Sequence, residues 1–265
     1  MTLILALKCI GERGEGVLVS ADSKATAYGG LAYRVQKIFP IALNPGTEKE
    51  VDLAIGAGAG NESMVRHGIR LAEKEFIRLA EKEWKGTYPS FEQFEVAVER
   101  VEDELMAKTA EWRENELEVS LGMILCGVDP DGRASIYIFD ESGLTRPVHD
   151  TPGFACIGSG FVTGGNMMLQ QFWNPNLSVD QAQILAAYAI QTVSKVDTAV
   201  GPFEGSSYYF RIQDNKPVMG ELGTKGLKEY LERVSQREEI LEYSWNLCNR
   251  LGEDKVSKKL RETFK

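Results

Sequence analysis

Threonine at position 2 carries a hydroxyl beside what becomes a free α-amine once the initiator methionine is removed, and so small a second residue ordinarily permits that removal. A lone threonine hydroxyl is a poor nucleophile. An α-amine on the same residue, with a reference pKa of about 7.7 to 8.0, is neutral enough near pH 7 to take the hydroxyl proton. A nearby lysine would disfavour a second positive charge on that amine, and a carboxylate would in turn hold the lysine. Other chemistries lack their patterns. The chain has no GxxxxGK[ST], no GxGxxG after a strand, no HExxH and no GxSxG. Its two histidines, His67 in a charged helix and His149 in a polar loop, are poor material for a histidine-based triad. Cys9, Cys126, Cys156 and Cys248 stand singly without a CxxC, so neither a metal site nor a disulfide framework is expected, and no cofactor is implied. Three of them, in ALKCI, ILCGV and FACIG, read as small buried hydrophobes.

The elements that would position these groups follow from periodicity. Leu3 to Ile10 and Val17 to Ser20 read as a hairpin, and Lys37 to Ile41 with Val51 to Gly56 as a second one turning at Asn44-Pro45-Gly46. The alternating glycines of AIGAGAG lead into a helix from Glu62 to about Trp84. Ser90 caps a second, whose Phe91, Phe94, Val98, Val101 and Leu105 form one face. Val119 to Val128 and Ala134 to Phe139 form a further hairpin around DPDG. Phe154 to Ile157 ends at Gly158-Ser159-Gly160, and helices follow from about Val162 to Phe172 and, capped by Ser178, through Val196. Tyr208 to Ile212 is a late strand, and the segment from about Lys225 to Thr263 is charged and helical. Strands grouped in hairpins and helices grouped in pairs predict an α+β layered fold with antiparallel sheets. One domain is expected over residues 2–219, with a helical C-terminal extension over 220–265.

Composition sets outer bounds. With 43% hydrophobic and 26% charged residues among 265, the chain is neither disordered nor fibrous. Its 39 acidic and 30 basic residues give a net charge of -9, which argues against a general attraction to nucleic acid or to anionic membranes. No apolar run approaches the roughly 18 to 20 residues of a membrane span. The N-terminus lacks the basic residues and small-residue cleavage site of a secretory signal, so a cytoplasmic location is expected.

The segment VLVSADSKATAYGG, followed fifteen residues after its aspartate by Lys37 in QKIFPI, resembles the opening of proteasome β subunits and of the related HslV and Anbu groups, all N-terminal nucleophile hydrolases. AIGAGAGNES, LGMILCGVDPDGRASIYIFDESG, FACIGSGFVTGG and LSVDQAQILAAYAIQTVSKVD resemble later family segments in the same order. The resemblance implies a four-layer αββα sandwich, two antiparallel sheets flanked by helices, and a threonine-type peptidase or amide hydrolase acting through an acyl-enzyme. Thr2 matches the nucleophile, Asp22 the carboxylate and Lys37 the tuning lysine, while Ser159 and Asp197 match residues that relay the amine proton. A backbone N–H near Ala57 or Gly58 would stabilise the oxyanion, Thr26 would align a peptide by main-chain bonds, and Ala25, Ile55 and Ala59 would line an apolar primary pocket. Without the resemblance, Asp22 and Ser23 read as a turn after a strand, Lys37 as a solvated strand end and Gly158-Ser159-Gly160 as a tight turn into a helix. Peptide or protein substrates and a homo-oligomer, ring or dimer, are implied; any ATPase partner is left unassigned.

Several features depart from the family pattern. The family usually has a serine three residues after the aspartate of KVD, followed by two glycines; here the segment reads Val200-Gly201-Pro202, which lacks that hydroxyl. A non-catalytic assembly subunit, or an acyl-transferring relative, is therefore the alternative function. Only Met1 precedes Thr2, as in the HslV and Anbu groups, so activation is expected to need methionine removal and not autolytic cleavage. The first helix pair is longer than the family's, and the tail carries Leu227, Leu231, Val234, Ile240, Leu241, Trp245 and Leu251 at spacings suited to covering a neighbour or its own subunit.

Overall fold

A computed structural model describes residues 2–26, 32–204, 206–222, 227–251 and 258 of the chain. Its first sheet begins with β1 (Ile4–Ile10) and β2 (Glu15–Ala21), the hairpin expected from the apolar start of the chain. A small two-stranded sheet follows, β3 (Lys24–Thr26) with β4 (Ala32–Arg34). The second large sheet opens with β5 (Ile38–Leu43) and β6 (Val51–Gly60). Two long helices, α1 (Glu62–Lys82) and α2 (Phe91–Glu114), lead to β7 (Leu121–Val128), β8 (Ala134–Phe139) and β9 (Thr145–Pro147). The chain returns to the first sheet through β10 (Phe154–Ile157). It then forms α3 (Gly165–Phe172) and α4 (Val179–Val196), completes the sheet with β11 (Ser207–Gln213) and β12 (Lys216–Leu222), and ends in α5 (Leu227–Leu251).

The strand orders are β10-β1-β2-β11-β12 and β5-β6-β7-β8-β9, antiparallel throughout. Three apolar clusters define four layers. One lies between α1, α2 and the second sheet, with Phe76, Phe94, Leu105 and Phe139. Another lies between α3, α4 and the first sheet, with Leu3, Leu5, Leu169 and Ile190. The third lies between the sheets, with Ile4, Val19, Ile55, Ile124 and Ile136. The architecture is thus an αββα sandwich. Each large aliphatic side chain fully buried in these layers contributes about 1.5–3 kcal/mol relative to exposure.

The alternating glycines of β6 have a packing reason. Ile55, Ala57 and Ala59 face the other sheet, while Gly56 and Gly58 face α1, where an added methyl would run into Ile69 and Val65. Their hydrogens let the helix lie directly on the strand. Capping follows the sequence as well: Asn61 accepts from the Ser63 and Met64 amides, and Ser90 and Ser178 each form a capping box.

The short strands β3, β4 and β9 and the strand β12, which crosses the expected boundary at 219, carry no apolar alternation strong enough to mark them. The helix expected from about Val162 begins instead at Gly165, because Ser159–Phe161 forms a 3-10 turn and Gly164 adopts φ 137 before it. In α5, Leu231 and Val234 pack on the α4 cluster and Lys195 pairs with Glu238 at 2.6 Å, whereas Ile240, Leu241 and Trp245 are exposed. The side chains of Leu227, Leu251 and Cys248 lie outside the described residues. Among the described residues, no helix is long and apolar enough to cross a membrane, and no group of three or more His, Cys, Asp or Glu side chains could hold a metal ion.

Candidate active site

The end of the inter-sheet cleft gathers Thr2, Asp22 and Lys37. Thr2 lies two residues before the first residue of β1, an interior strand paired on both sides, and is 4% exposed. Asp22 follows β2 directly, opposite the start of β1, so its amide donates to the Leu3 carbonyl (3.1 Å) while its Oδ1 accepts from the Leu3 amide (2.8 Å). Lys37 stands just before β5, on the facing sheet. The three side chains therefore arrive from three chain segments at one buried point.

Their hydrogen bonds are closed among themselves. The Thr2 hydroxyl donates to Asp22 Oδ1 (2.5 Å) and accepts from Lys37 Nζ. Lys37 Nζ also donates to Asp22 Oδ1 (2.7 Å) and to the Lys24 carbonyl (2.5 Å), which uses all three ammonium protons. The second carboxylate oxygen of Asp22 accepts from the amides of Gly201 (2.9 Å) and Lys24 (3.2 Å). Burial pushes the Lys37 ammonium below the ordinary lysine value, and the adjacent Asp22 carboxylate opposes that shift without cancelling it. A cationic donor on a hydroxyl oxygen favours loss of the hydroxyl proton to a neighbouring base.

The Gly158-Ser159-Gly160 turn holds Thr2 from the other side. Gly160 donates its amide to the Thr2 carbonyl (3.1 Å). Gly158 has φ 92, and a methyl there would strike the Thr2 carbonyl, so only glycine fits. Ser159 lines the same cavity as Thr2, and its Oγ is buried with no hydrogen-bond partner among the described residues.

Other expected residues are placed differently. Asp197 caps the end of α4 and spends its carboxylate on Thr163 Oγ1 (3.0 Å) and the Ala199 amide (2.9 Å), away from Thr2. Its contribution is indirect: the turn it shapes delivers the Gly201 amide to Asp22. Val200 is buried among apolar neighbours of α4, so its side chain supplies packing where a hydroxyl was expected. The amides of Ala57 and Gly58 do not serve as expected. Gly58 donates to the Lys37 carbonyl (3.1 Å), and ladder alternation sends the Ala57 amide to Ile124 of β7. The same alternation turns the Gly60 amide toward the β5 side, beyond the first residue of β5, and Gly60 lines the cavity with Thr2. Ile55 is fully buried between the sheets and does not line that cavity, whereas Ala59 does. Ala25 and Thr26 belong to β3, paired with Tyr33 and Ala32, but their side chains lie outside the described residues.

Sequence reasoning missed the backbone donors Gly160 and Gly201 and the acceptor carbonyl of Lys24, since main-chain groups leave little sequence signature. It also missed Glu204, which accepts from Ser23 Oγ (2.5 Å) and Arg34 (3.1 Å) and so ties the segment after Asp22 to β4.

Comparison with known proteins now bears on this geometry. The proteasome subunit family matches residues 74–202. Two solved structures of Anbu from Hyphomicrobium sp. strain MC1 share the fold. The first, a Gly-1 mutant, has a TM-score of 0.68 at 14% identity, covering 93% of this chain and 97% of that one. The second has a TM-score of 0.65 at 15% identity, covering 92% and 97%. Over residues 74–202 the chain is similar to proteasome subunits, and its fold is that of the two Anbu structures. A comparison with curated proteins gives no match. Within this proteasome-like chain the family match includes Ser159 and Asp197 but begins after Thr2, Asp22 and Lys37. The grouping of those three therefore rests on the geometry above.

Proposed function

We propose that this protein is a threonine-type amide hydrolase acting on peptides, with Thr2 as nucleophile once Met1 has been removed. The carrying observation is the convergence of Lys37 Nζ and Asp22 Oδ1 on the Thr2 hydroxyl at the wall of an open cavity. The freed α-amine takes the hydroxyl proton, and Oγ1 attacks the scissile carbonyl carbon. The Gly60 amide stabilises the oxyanion. The C–N bond then breaks, the leaving amine departs with the proton, and an ester on Thr2 remains. Water, deprotonated by the same α-amine, hydrolyses that ester and restores the hydroxyl. Lys37 keeps positive charge beside the amine and so favours its neutral form, Asp22 orients Lys37, and the unpartnered Ser159 Oγ is available to bond the freed amine. Transfer of the acyl group to an amine in place of water would use the same ester.

A homo-oligomer in the cytoplasm fits this reading, since proteasome-like proteins typically assemble. The alternative is a non-catalytic assembly subunit, favoured by the buried Val200 and by the commitment of Asp197 to Thr163 and Ala199. Intact mass and peptide turnover separate the two. The hydrolase reading expects a mass lacking Met1 and amide cleavage that Thr2→Ala abolishes. Retention of Met1 in a host that trims Met-Thr proteins, or the absence of any cleavage, supports the alternative; cleavage undiminished in Thr2→Ala removes Thr2 as the nucleophile.

A further inference from the structure

The cavity at Thr2 extends well beyond the reacting group. Its volume is about 710 Å³, within the roughly 300–1,000 Å³ of ligand sites. It crosses the ends of four successive strands of the second sheet: Gly60 on β6, Gly122 on β7, Ile138 on β8 and Arg146 on β9. Thr2 marks its beginning, because Lys37, whose side chain touches the Thr2 hydroxyl, also pairs through its carbonyl with Gly58 of β6. From β6 to β9 is three strand spacings of about 4.8 Å, or roughly 14 Å. An extended peptide, at about 3.4 Å per residue, covers that distance in about four residues.

The floor is apolar, formed by Leu121, Ile138 and Ile157 among others. The far end is not. Arg146 lies directly opposite Ile138 in the β8–β9 pairing, so both side chains stand on the face turned toward the other sheet. Arg146 is exposed, and among the described residues its guanidinium has no ion pair. Asp140 and Glu141 stand at the same lip, and among the described residues neither forms an ion pair with Arg146. Asp140 turns Oδ1 into its own loop, where it accepts from the Ser142 amide (2.8 Å), the Ser142 hydroxyl (2.5 Å) and the Leu144 amide (3.2 Å). Glu141 makes no ion pair with Arg146, and its carbonyl is held by Arg113 (2.8 Å). Helix α2 fixes this end of the cavity: Glu102 accepts from the Thr145 amide (2.8 Å) and hydroxyl (2.9 Å), and Thr109 donates to the Ser142 carbonyl (2.7 Å). The guanidinium is thus carried on a braced edge strand.

We propose that this lane selects peptides with apolar residues beside the scissile bond and a carboxylate about four residues away, received by Arg146. The inference rests on the hydrolase reading for its substrate, but binding tests it separately. Pairs of quenched-fluorescence peptides would differ only in Asp or Lys four residues from the scissile bond, with the charged residue on one side of the bond in one pair and on the other side in the second. For the pair that lies in the lane, kcat/KM for the Asp peptide should exceed that for the Lys peptide at least fivefold, and Arg146→Glu should bring the ratio to one or below. A smaller preference in both pairs, or one that survives Arg146→Glu, overturns the proposal. The Thr2→Ala protein, titrated with the same peptides, should bind the Asp form more tightly, and adding Arg146→Glu should remove the difference. If that difference is found and nothing is cleaved, the lane stands and the hydrolase reading falls. Cleavage without charge preference leaves the hydrolase reading standing and removes the lane.

Discussion

Replacing Asp22 by asparagine changes little in size, yet the structure assigns it a large cost. The Asp22 carboxylate accepts five hydrogen bonds: Thr2 Oγ1, the Leu3 amide and Lys37 Nζ on Oδ1, and the Lys24 and Gly201 amides on Oδ2. All five partners are donors, so the NH₂ of an asparagine must face donors whichever way it is turned. Placed at Oδ2 it strands two amides; placed at Oδ1 it strands the Leu3 amide and Lys37. Each buried donor left without an acceptor costs about 1–3 kcal/mol. Removing one partner of a buried ion pair costs about 3–5 kcal/mol, a figure that overlaps the first and does not add to it. We expect a loss of about 4 kcal/mol, a large share of the roughly 5–15 kcal/mol typical of a folded domain. Thr2→Ala removes one donor to Asp22 and one acceptor of Lys37 Nζ, so it strands a single buried donor and should cost about 1–3 kcal/mol. Guanidinium chloride unfolding, with unchanged m-value, reads both differences from the midpoints. An Asp22→Asn loss below about 1 kcal/mol would refute the claim that this carboxylate organises the site.

Further outcomes follow from the same geometry. Lys37→Arg should abolish turnover although it retains charge, because a planar guanidinium cannot direct three bonds from one atom to Thr2 Oγ1, Asp22 Oδ1 and the Lys24 carbonyl; steady-state kinetics with activity near wild type would contradict the placement given to Lys37. Lys37 has a folded-state value below its ordinary 10.5, so between those two values the unfolded chain binds the extra proton. The stability of wild type relative to Lys37→Met should therefore rise with pH through that interval, being complete above 10.5 and lost as pH falls through the folded value. A wild-type midpoint that falls relative to that of Lys37→Met as pH rises would contradict this. Gly158→Ala forces a methyl onto the Thr2 carbonyl at φ 92 and should cost at least about 2 kcal/mol, with loss of turnover; a silent substitution would mean that Thr2 is held elsewhere. Burial pushes the Cys9 and Cys156 thiols up to about 12, so neither should be alkylated by iodoacetamide at pH 8 until the protein unfolds, as peptide mapping would show.

The fold was legible where burial imposes a period. The hairpins of β1–β2 and β7–β8 are short apolar runs, buried on both faces and joined by identifiable turns, and the helices α1, α2 and α4 have apolar periodicity and an identifiable cap, so their types could be read directly. The strands β3, β4 and β9 are three residues long, too short for alternation to register. For the site, Thr2 was identifiable by residue type and position, whereas Asp22 and Lys37 were singled out among 39 acidic and 30 basic residues only by the resemblance of their segments to the opening of proteasome β subunits. The backbone donors at Gly60, Gly160 and Gly201 were not, since an amide direction depends on strand register and loop closure. The oxyanion position illustrates this: Gly58 lies on the β5 side of its strand and is paired with the Lys37 carbonyl, while the Gly60 amide, two residues later on the same side, has no backbone partner among the described residues. Asp197 shows the reverse case, in which a matching residue type was used for a helix cap.

Residue-level mapping of a covalent adduct tests the central claim most directly. The purified protein, treated with a peptide epoxyketone or boronate and digested, should carry the modification on a peptide beginning at Thr2, with none on the Thr2→Ala variant. Unmodified Thr2 in protein that has lost Met1, or modification at another residue, would contradict the assignment of the nucleophile.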